Sequence, residues 1–342
     1  MLRMGKISPA VLRRSVLRLI HHRDGSTTGE ADSMTVNPDG SSVSASAAEA
    51  PAVLTVAPVS GPAEVIGMRG VTEAVNGLAV AGAEPAGVML SLLLPQETDE
   101  AVLRQIIADA DSTCAAQGME ILGGHTEVTD AVCRPVLSVT GVGSLPGSDN
   151  GESRWQISDL HPGEDLILTK HIAMEAAWLL TKAQRAELRK RFTEDLLDHA
   201  EKFGEMMSVL PEVRVLRDHP EAGVTAVYDV SRGGIFGALW EFADPAGAGL
   251  DVDIREIPIR QETVEICEYF DVNPYEALSA GSLLIATENG EETVRILEEA
   301  GIPAALIGRT TEGPQRILHN GGEVRYLDRP QPDSLLRVDG ML

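Results

Sequence analysis

The sequence predicts a two-domain α/β (α+β) protein, and three observations lead to this fold class. The chain has 342 residues, more than one average domain holds. Stretches with the apolar periodicity of strands and of helices are mixed through both halves, as in layered α/β proteins. A polar segment without apolar periodicity separates the halves. We therefore predict an N-terminal domain over residues 1–147, a linker over 148–160 and a C-terminal domain over 161–342.

In the N-terminal half, apolar runs are separated by turn residues. A helix is predicted over residues 8–20, because Ser8 suits a helix cap and Pro9 suits the first turn. Residues 21–50 are polar, with short strands predicted at 34–36 and 42–45. The remaining pattern predicts strands at 52–56, 86–94, 119–122 and 135–144, a turn at 58–62, and helices at 63–81 and 98–117.

The C-terminal half repeats this mixture of short apolar runs and amphipathic stretches. Its first strand directly follows the polar linker. The same reasoning predicts strands at 165–169, 225–228, 250–254, 283–287 and 304–309, and helices at 182–191, 193–210, 235–242 and 291–300.

Composition excludes several classes of function. The chain carries 52 acidic residues against 28 Lys and Arg, and its formal net charge of −24 disfavours nucleic acid and anionic membrane as partners. No apolar stretch is long enough to span a bilayer, and no signal peptide is recognisable, so we predict a cytoplasmic protein. The three cysteines contain no CxxC pair, and the sequence has no Walker A, dinucleotide-fold, HExxH or GxSxG motif.

The first candidate site is a glycine pair that follows a predicted strand. Gly123 and Gly124 permit close backbone approach to a ligand, and His125, Thr126 and Glu127 follow at once. We predict a loop in which these side chains contact a ligand and Glu127 coordinates a metal. The alternative is a tight turn in which Thr126 only caps the chain.

The second candidate site is the segment 229–234, between a predicted strand and a predicted helix. The N-terminus of a helix offers unpaired N–H groups and partial positive charge, so Gly233 and Gly234 would let a phosphate approach. Arg232 would then neutralise part of its charge. The alternative is that Asp229 or Ser231 only caps the helix and Arg232 is solvated.

Four motifs, in order, carry a resemblance to a known family. They are the helix end at 76–85 (NGLAVAGAEP), 123–127 (GGHTE), 229–234 (DVSRGG), and 273–275 (NPY) leading to 279–286 (SAGSLLIA). Together they resemble the AIR synthase superfamily along nearly the whole chain. The segments 5–8 (GKIS) and 229–234 look closest to its HypE branch. The resemblance implies a homodimer whose N-terminal domains form a β-barrel, and a larger C-terminal α/β domain.

The resemblance also implies ATP and a divalent metal, Mg²⁺, between the domains and near the dimer interface. The family activates an amide-type oxygen with ATP or transfers a phosphoryl group. No catalytic residue is assigned by this route. The positions carried over for nucleotide are Asp32, Asn76, Gly123, Gly124, His125, Thr126, Asp229, Arg232, Gly233 and Gly234, and those for metal are Asp32, Glu127 and Asp229.

The sequence also departs from the family's pattern. Ala57 and Gly77 stand where relatives carry metal-binding carboxylates. No cysteine follows Cys267, whereas the HypE branch ends in a cysteine that accepts a carbamoyl group, so we expect no cyanide chemistry on this chain's own tail. Two main hypotheses follow: an ATP-dependent enzyme, or a non-catalytic homodimer that binds a protein partner or small ligand. A third is an unrelated α/β fold whose glycine turns are structural.

Overall fold

The computed structural model describes residues 5–6, 14–15, 18–19, 35–36, 42–43, 52–146, 155 and 157–338. The chain forms two compact units, Met1–Ser153 and Arg154–Leu342, with the boundary inside the segment 148–160. Most of the helix predicted at 8–20 lies outside the described residues. Within those residues, no helix is both long and apolar enough to cross a membrane.

The first unit is a five-stranded sheet with two helices packed on one face. The sheet order is β1-β6-β5-β7-β4, and only the β5–β6 pair is parallel. Burial alternates along β7, as expected for a sheet covered on one face. The strands are β1 Gly5–Lys6, β4 Ala52–Ser60, β5 Glu84–Pro95, β6 Glu120–Thr129 and β7 Val136–Ser144; the helices are α1 Ala63–Val80 and α2 Glu100–Ala116. Strands β2 Thr35–Val36 and β3 Ser42–Val43 form a separate two-stranded antiparallel sheet.

Strand β4 is longer than predicted, because residues 58–60 continue the strand instead of forming a turn. Pro58 is tolerated there since β4 lies at the edge of the sheet, where a residue without an N–H need not break a ladder. Leu54 and Val56 lie on the face opposite the helices and are 67% and 66% exposed.

Strand β6 corrects the prediction of a loop at the glycine pair. The strand runs unbroken from Glu120 to Thr129, through Gly123 and Gly124. A β-bulge shifts its register against β5 just before the pair. A Cβ on Gly124 would lie only 1.9 Å from the carbonyl oxygen of Leu90, so this close approach requires glycine. The paired glycines therefore keep the strand continuous and form no turn.

The second unit is a seven-stranded mixed sheet with helices on its faces. Its order is β14-β13-β10-β12-β8-β11-β9, and strand β11 is antiparallel to both of its neighbours. The strands are β8 Asp165–Thr169, β9 Val224–Val230, β10 Gly249–Asp253, β11 Ser282–Thr287, β12 Ala304–Thr311, β13 Arg316–Asn320 and β14 Glu323–Tyr326; the helices are α3 Met174–Leu188, α4 Glu194–Lys202, α5 Leu210–Asp218, α6 Gly234–Ala243, α7 Gln261–Tyr269 and α8 Gly290–Glu299.

Two helix predictions in this unit were wrong in their bounds. Helix α3 begins at Met174, eight residues before the predicted start. Its N-cap residue, Ala173, has left-handed backbone angles and is not one of the residue types that mark a helix start in a sequence. The helix predicted at 193–210 is split into α4 and α5. Gly204 lies in the break, and a Cβ there would meet Trp178 Nε1 at 2.7 Å. Helix α7 and strands β13 and β14 were not predicted.

A buried ion pair joins three segments of this unit. The ammonium of Lys170 lies 2.7 Å from Glu212, whose side chain is fully buried. The same ammonium donates hydrogen bonds to the carbonyl oxygens of Met206, Ser208 and Gly281. One buried cation at the end of β8 therefore contacts both the α4–α5 connection and the start of β11. A buried charge needs this degree of compensation to be tolerated.

We expect Lys170→Met to lower the free energy of unfolding by about 3–5 kcal/mol, because it leaves the Glu212 carboxylate buried without its counter-charge. The double variant Lys170→Met/Glu212→Gln should recover a substantial part of that loss. The measurement is equilibrium unfolding in urea. Lys190→Met, which removes the exposed pair with Glu187, is the matched control and should cost about 0.5 kcal/mol or less. A double variant as unstable as Lys170→Met would contradict this account.

The last described segment is held to the second unit by a buried carboxylate. Asp333 is 9% exposed and accepts hydrogen bonds from the backbone N–H groups of Gly233 and Leu335. Burial raises the pKa of Asp333 above its usual 3.8, and the backbone hydrogen bonds only partly oppose this. The segment thus closes over the start of helix α6.

This raised pKa predicts a pH dependence of stability. Between 3.8 and the raised pKa, the folded chain binds more protons at Asp333 than the unfolded chain does. The contribution of Asp333 to stability therefore falls as pH rises through that window. The difference in unfolding free energy between wild type and Asp333→Asn, measured in urea at several pH values, should decline with rising pH and then level off. Parallel curves for the two proteins would refute this assignment.

Candidate functional site

The predicted site residues fall into two groups, one in each unit. Asn76 and residues 123–127 lie in the first unit, and residues 229–234 lie in the second. Asp32 lies outside the described residues. Among the described residues, no three or more His, Cys, Asp or Glu side chains converge in a cluster that could hold a metal ion.

In the first unit, strand alternation separates the polar residues of β6. Thr126 is 7% exposed, whereas His125 and Glu127 point to the opposite side, with about two fifths or more of each side chain exposed. Their reactive atoms, His125 Nε2 and Glu127 Oε2, lie 3.4 Å apart. The strand therefore presents an imidazole and a carboxylate together on the sheet face that bears no helices.

Of the two positions at which the sequence departs from its relatives, Ala57 is buried, and Gly77 is partly buried and closely packed. Ala57 is 4% exposed, and a Cβ on Gly77 would lie 3.1 Å from Thr55. Asn76, beside Gly77 in helix α1, is fully buried. An added carboxylate at residue 57 or 77 would have to displace these contacts, so local packing here fits the small residues that the chain carries.

In the second unit, sheet topology gathers three segments at one edge. Strands β8 and β9 are both antiparallel to β11, which lies between them, so β8 and β9 are parallel to each other. Their carboxyl ends meet the start of β11 at the same edge. We call this the β8–β9 edge, and it comprises residues 170–173, 230–234 and 279–282. Ligands of open α/β sheets commonly bind at such carboxyl ends.

Hydrogen bonds tie the segments of the β8–β9 edge together. The hydroxyl of Ser279 accepts from the N–H of Ala173 at 2.7 Å, and the N–H of Ser279 donates to the carbonyl of Ser231 at 3.2 Å. The hydroxyl of Ser282 donates to the carbonyl of His171 at 2.7 Å. Ser279 was recognised only as part of a motif, and the structure shows it to be the residue that connects the other two segments.

Helix α6 begins at the predicted glycine pair. Gly233 and Gly234 both adopt left-handed backbone angles, with φ of 76° and 62°. A Cβ on Gly234 would lie 2.6 Å from the carbonyl oxygen of Tyr275, so this position has no room for a side chain. The N–H of Gly233 donates to Asp333 and that of Gly234 to Ser231. These two donors thus already have acceptors, whereas the sequence alone predicted unpaired groups.

The two charged residues of this segment differ in exposure. Asp229 is half-buried near the end of β9, where Leu283 is its register partner in β11, and Arg232 is exposed. Each described group thus offers one carboxylate of the predicted metal set. Mg²⁺ in nucleotide sites typically uses one or two carboxylates plus phosphate oxygens and water. Either carboxylate alone would thus suit a metal that arrives with a nucleotide, and the described residues of each unit form no metal cage of their own.

His171 lies at the same edge, although its sequence context favoured a structural role. Its Nδ1 is buried without a hydrogen-bond partner among the described residues. Burial and, to a smaller extent, the nearby Arg260 lower the pKa of His171 to about 4, with Glu262 partly opposing them. The imidazole is therefore neutral at pH 7. No sequence motif indicated this residue; the signal is spatial and comes from the topology of β8, β9 and β11.

Comparison with known proteins matches both halves of the chain to one family. Residues 36–145 match the N-terminal domain of AIR synthase related protein, and residues 161–319 match its C-terminal domain. A carbamoyl dehydratase HypE of Rhodobacter capsulatus is 30% identical over 293 residues, which cover 83% of this chain and 82% of that protein. A carbamoyl dehydratase HypE of Escherichia coli is 28% identical over 296 residues, covering 82% and 81%.

Solved structures show the same fold. Escherichia coli HypE superposes with a TM-score of 0.73 at 21% identity, over 98% of this chain and all of that one. A HypE structure in complex with ATP gives 0.71 at 18% identity, over 96% of each chain. A HypE–HypF complex gives 0.66 at 18% identity, over 81% and 90%. At these identities the likeness concerns the fold alone, but together with the sequence matches it leads to one conclusion: the chain belongs to the AIR synthase-related, HypE-like superfamily.

Proposed function

We propose that this chain binds ATP with a divalent metal and uses it to activate an amide- or carbamoyl-type oxygen or to transfer a phosphoryl group. The observation that carries the proposal is the 30% identity to a carbamoyl dehydratase across both units, since it includes both glycine-rich segments. Similarity to this family supports an ATP-dependent function. The substrate, the metal and the residues in contact with them are parts of the proposal.

The geometry supports a different role for each group of residues, metal coordination in the first unit and phosphate binding in the second. In the first unit, Glu127 has no helix over it and stands beside His125, so it is accessible to a metal-bound nucleotide. In the second, the left-handed turn before α6 and the exposed Arg232 suit phosphate. Because the N–H of Gly233 already donates to Asp333, a phosphate there would bind through the later donors of the turn or displace that carboxylate.

The proposal is tested by calorimetric titration with ATP, with and without Mg²⁺. We expect metal-dependent binding, weakened roughly 10- to 100-fold by Glu127→Ala, because a charge-assisted contact contributes about 1.5–3 kcal/mol. Glu299→Ala, at an exposed carboxylate in the second unit, is the matched control and should bind as the wild type does. Absence of binding at millimolar ATP would reject the nucleotide proposal.

A second candidate function is a non-catalytic homodimer that acts through a protein partner or ligand. The packed positions Ala57 and Gly77 favour it, because they leave fewer carboxylates for a nucleotide-bound metal. One solved neighbour is a HypE–HypF complex, which supports a protein partner for this fold. Failure of ATP to bind, combined with capture of a defined partner by the purified chain, would favour this function over the first.

Both functions include a homodimer formed through the first unit. The supporting observation is the open face of β4, where Leu54 and Val56 are about two thirds exposed at a sheet edge. We expect Leu54→Lys/Val56→Lys to shift the chain from dimer to monomer in sedimentation velocity, because each lysine places a charge in the contact. Leu336→Lys, at an exposed leucine of the second unit, should leave the dimer intact. A wild-type chain that sediments as a monomer would reject the dimer.

A further inference from the structure

The second unit contains a cavity that the proposed function does not use. Its volume is about 540 Å³, which lies within the range of small-molecule pockets. Strands β10 and β13 are parallel, and the cavity lies beyond their carboxyl ends, between the turn at 254–256 and the β13–β14 hairpin. Open α/β sheets commonly bind ligands beyond the carboxyl ends of their strands. Tyr275, the last residue of the 273–275 motif, also lines this cavity.

Two polar side chains of the cavity are positioned by the same aromatic ring, that of Phe236 in helix α6. The rings of Phe236 and Tyr275 are stacked, with their centroids 5.1 Å apart. The guanidinium carbon of Arg325 lies 5.3 Å from the centroid of the Phe236 ring. The side chain of Asn273 accepts a hydrogen bond from the N–H of Tyr275 at 3.2 Å. Because ring stacking and a cation over an aromatic ring are both favourable, Tyr275 and Arg325 are held close together at the cavity wall.

The hydrogen-bonding groups of Tyr275 and Arg325 are not used within the folded unit. Among the residues that the structure describes, the Tyr275 hydroxyl has no hydrogen-bond partner and Arg325 has no carboxylate partner. Burial raises the pKa of Tyr275 above its usual 10, with Arg325 partly opposing this, so the hydroxyl is a protonated donor at pH 7. Arg255, which also lines the cavity, is paired with Asp253 through two hydrogen bonds. Of the two cavity arginines, Arg325 is therefore the one whose charge is not neutralised.

We propose that this cavity binds a small organic carboxylate, whose carboxyl group contacts Arg325 and the hydroxyl of Tyr275. A guanidinium can donate two parallel hydrogen bonds to a carboxylate, and the phenol would donate a third. Ile254 and Val324 line the same cavity and suit an apolar ligand body. Glu323 adds a negative charge to the cavity, so a doubly charged phosphate is disfavoured relative to a singly charged carboxylate. The ligand thus differs in class from the nucleotide of the proposed function, and the site does not depend on that function.

The test follows the ring signals of the four tyrosines by nuclear magnetic resonance in the full chain. Benzoate is the probe, benzamide is its neutral counterpart and inorganic phosphate is the contrasting anion. We expect benzoate at millimolar concentration to shift the Tyr275 signals, and benzamide and phosphate to require concentrations at least roughly tenfold higher. Tyr228 and Tyr269 do not line the cavity and their hydroxyls already donate to carboxylates, so they are internal controls that should not respond.

Variants separate a bound carboxylate from a general effect of charge. Arg325→Gln should weaken benzoate binding roughly tenfold or more, because it removes the cation. Tyr275→Phe should weaken it roughly tenfold while it keeps the ring stacked on Phe236, so its unfolding midpoint should match the wild type. Arg309→Gln, at an exposed arginine of β12 outside the cavity, is the matched control and should bind benzoate as the wild type does.

Three results would overturn the proposal. They are Tyr275 signals that do not shift with benzoate, an Arg325→Gln variant that binds benzoate as tightly as the wild type, and a response to phosphate or benzamide equal to that to benzoate. The titrations contain neither nucleotide nor Mg²⁺. Their outcome is therefore independent of whether ATP binds to the chain, and the failure of either proposal leaves the other standing.

Discussion

The buried pair of Lys170 and Glu212 is the contact on which the second unit depends. A fully buried carboxylate is costly unless it is paired, and the ammonium that pairs with it also satisfies three carbonyl oxygens from two other segments. One cation therefore determines where the end of β8, the approach to α5 and the start of β11 lie. The left-handed turn after β8 is tolerated because its first residue is held in this way.

From this constraint the arrangement of the β8–β9 edge follows. Strand β11 starts between the ends of β8 and β9, so segments separated by more than a hundred residues in sequence become neighbours. Ser279 connects them with two hydrogen bonds, one to each side. A site built in this way is preorganised, because its backbone is fixed before any ligand arrives. The position of β11 between β8 and β9 also explains why the family's motifs in this half are far apart in sequence but close together in the fold.

Much of the fold was predictable, and the failures have identifiable physical causes. Helix α1 and strands β5, β7 and β8 follow from apolar periodicity bounded by turn residues, with bounds close to those predicted. Strands β4 and β6 were cut short because Pro58 and the glycine pair look like turn signals. An edge strand such as β4 tolerates proline, and a strand interior tolerates glycine where a neighbouring strand comes too close for a side chain. The local sequence shows neither the edge position nor the close approach.

The candidate site was predictable in its motifs but not in its contacts. The order of the motifs identified the family, which the comparisons confirmed, and it indicated residues 123–127 and 229–234. Asp333 was missed because its partner Gly233 is a hundred residues away, and no local pattern marks such a contact. His171 was assigned a structural role because an isolated histidine usually has one. The strand order, which the sequence does not specify, places it at the same end of the sheet as the segment 229–234.

The position of Pro58 has a consequence for assembly. An exposed sheet edge normally offers an incoming strand a regular series of donors and acceptors, and such edges allow several registers and uncontrolled aggregation. At Pro58 the edge of β4 lacks a donor, so a strand that pairs there cannot form a continuous ladder past this residue. The edge therefore discriminates between registers. A regular association through β4 would therefore be confined to one side of Pro58 or would use side chains on the open face of the strand, and either restriction reduces the number of registers available.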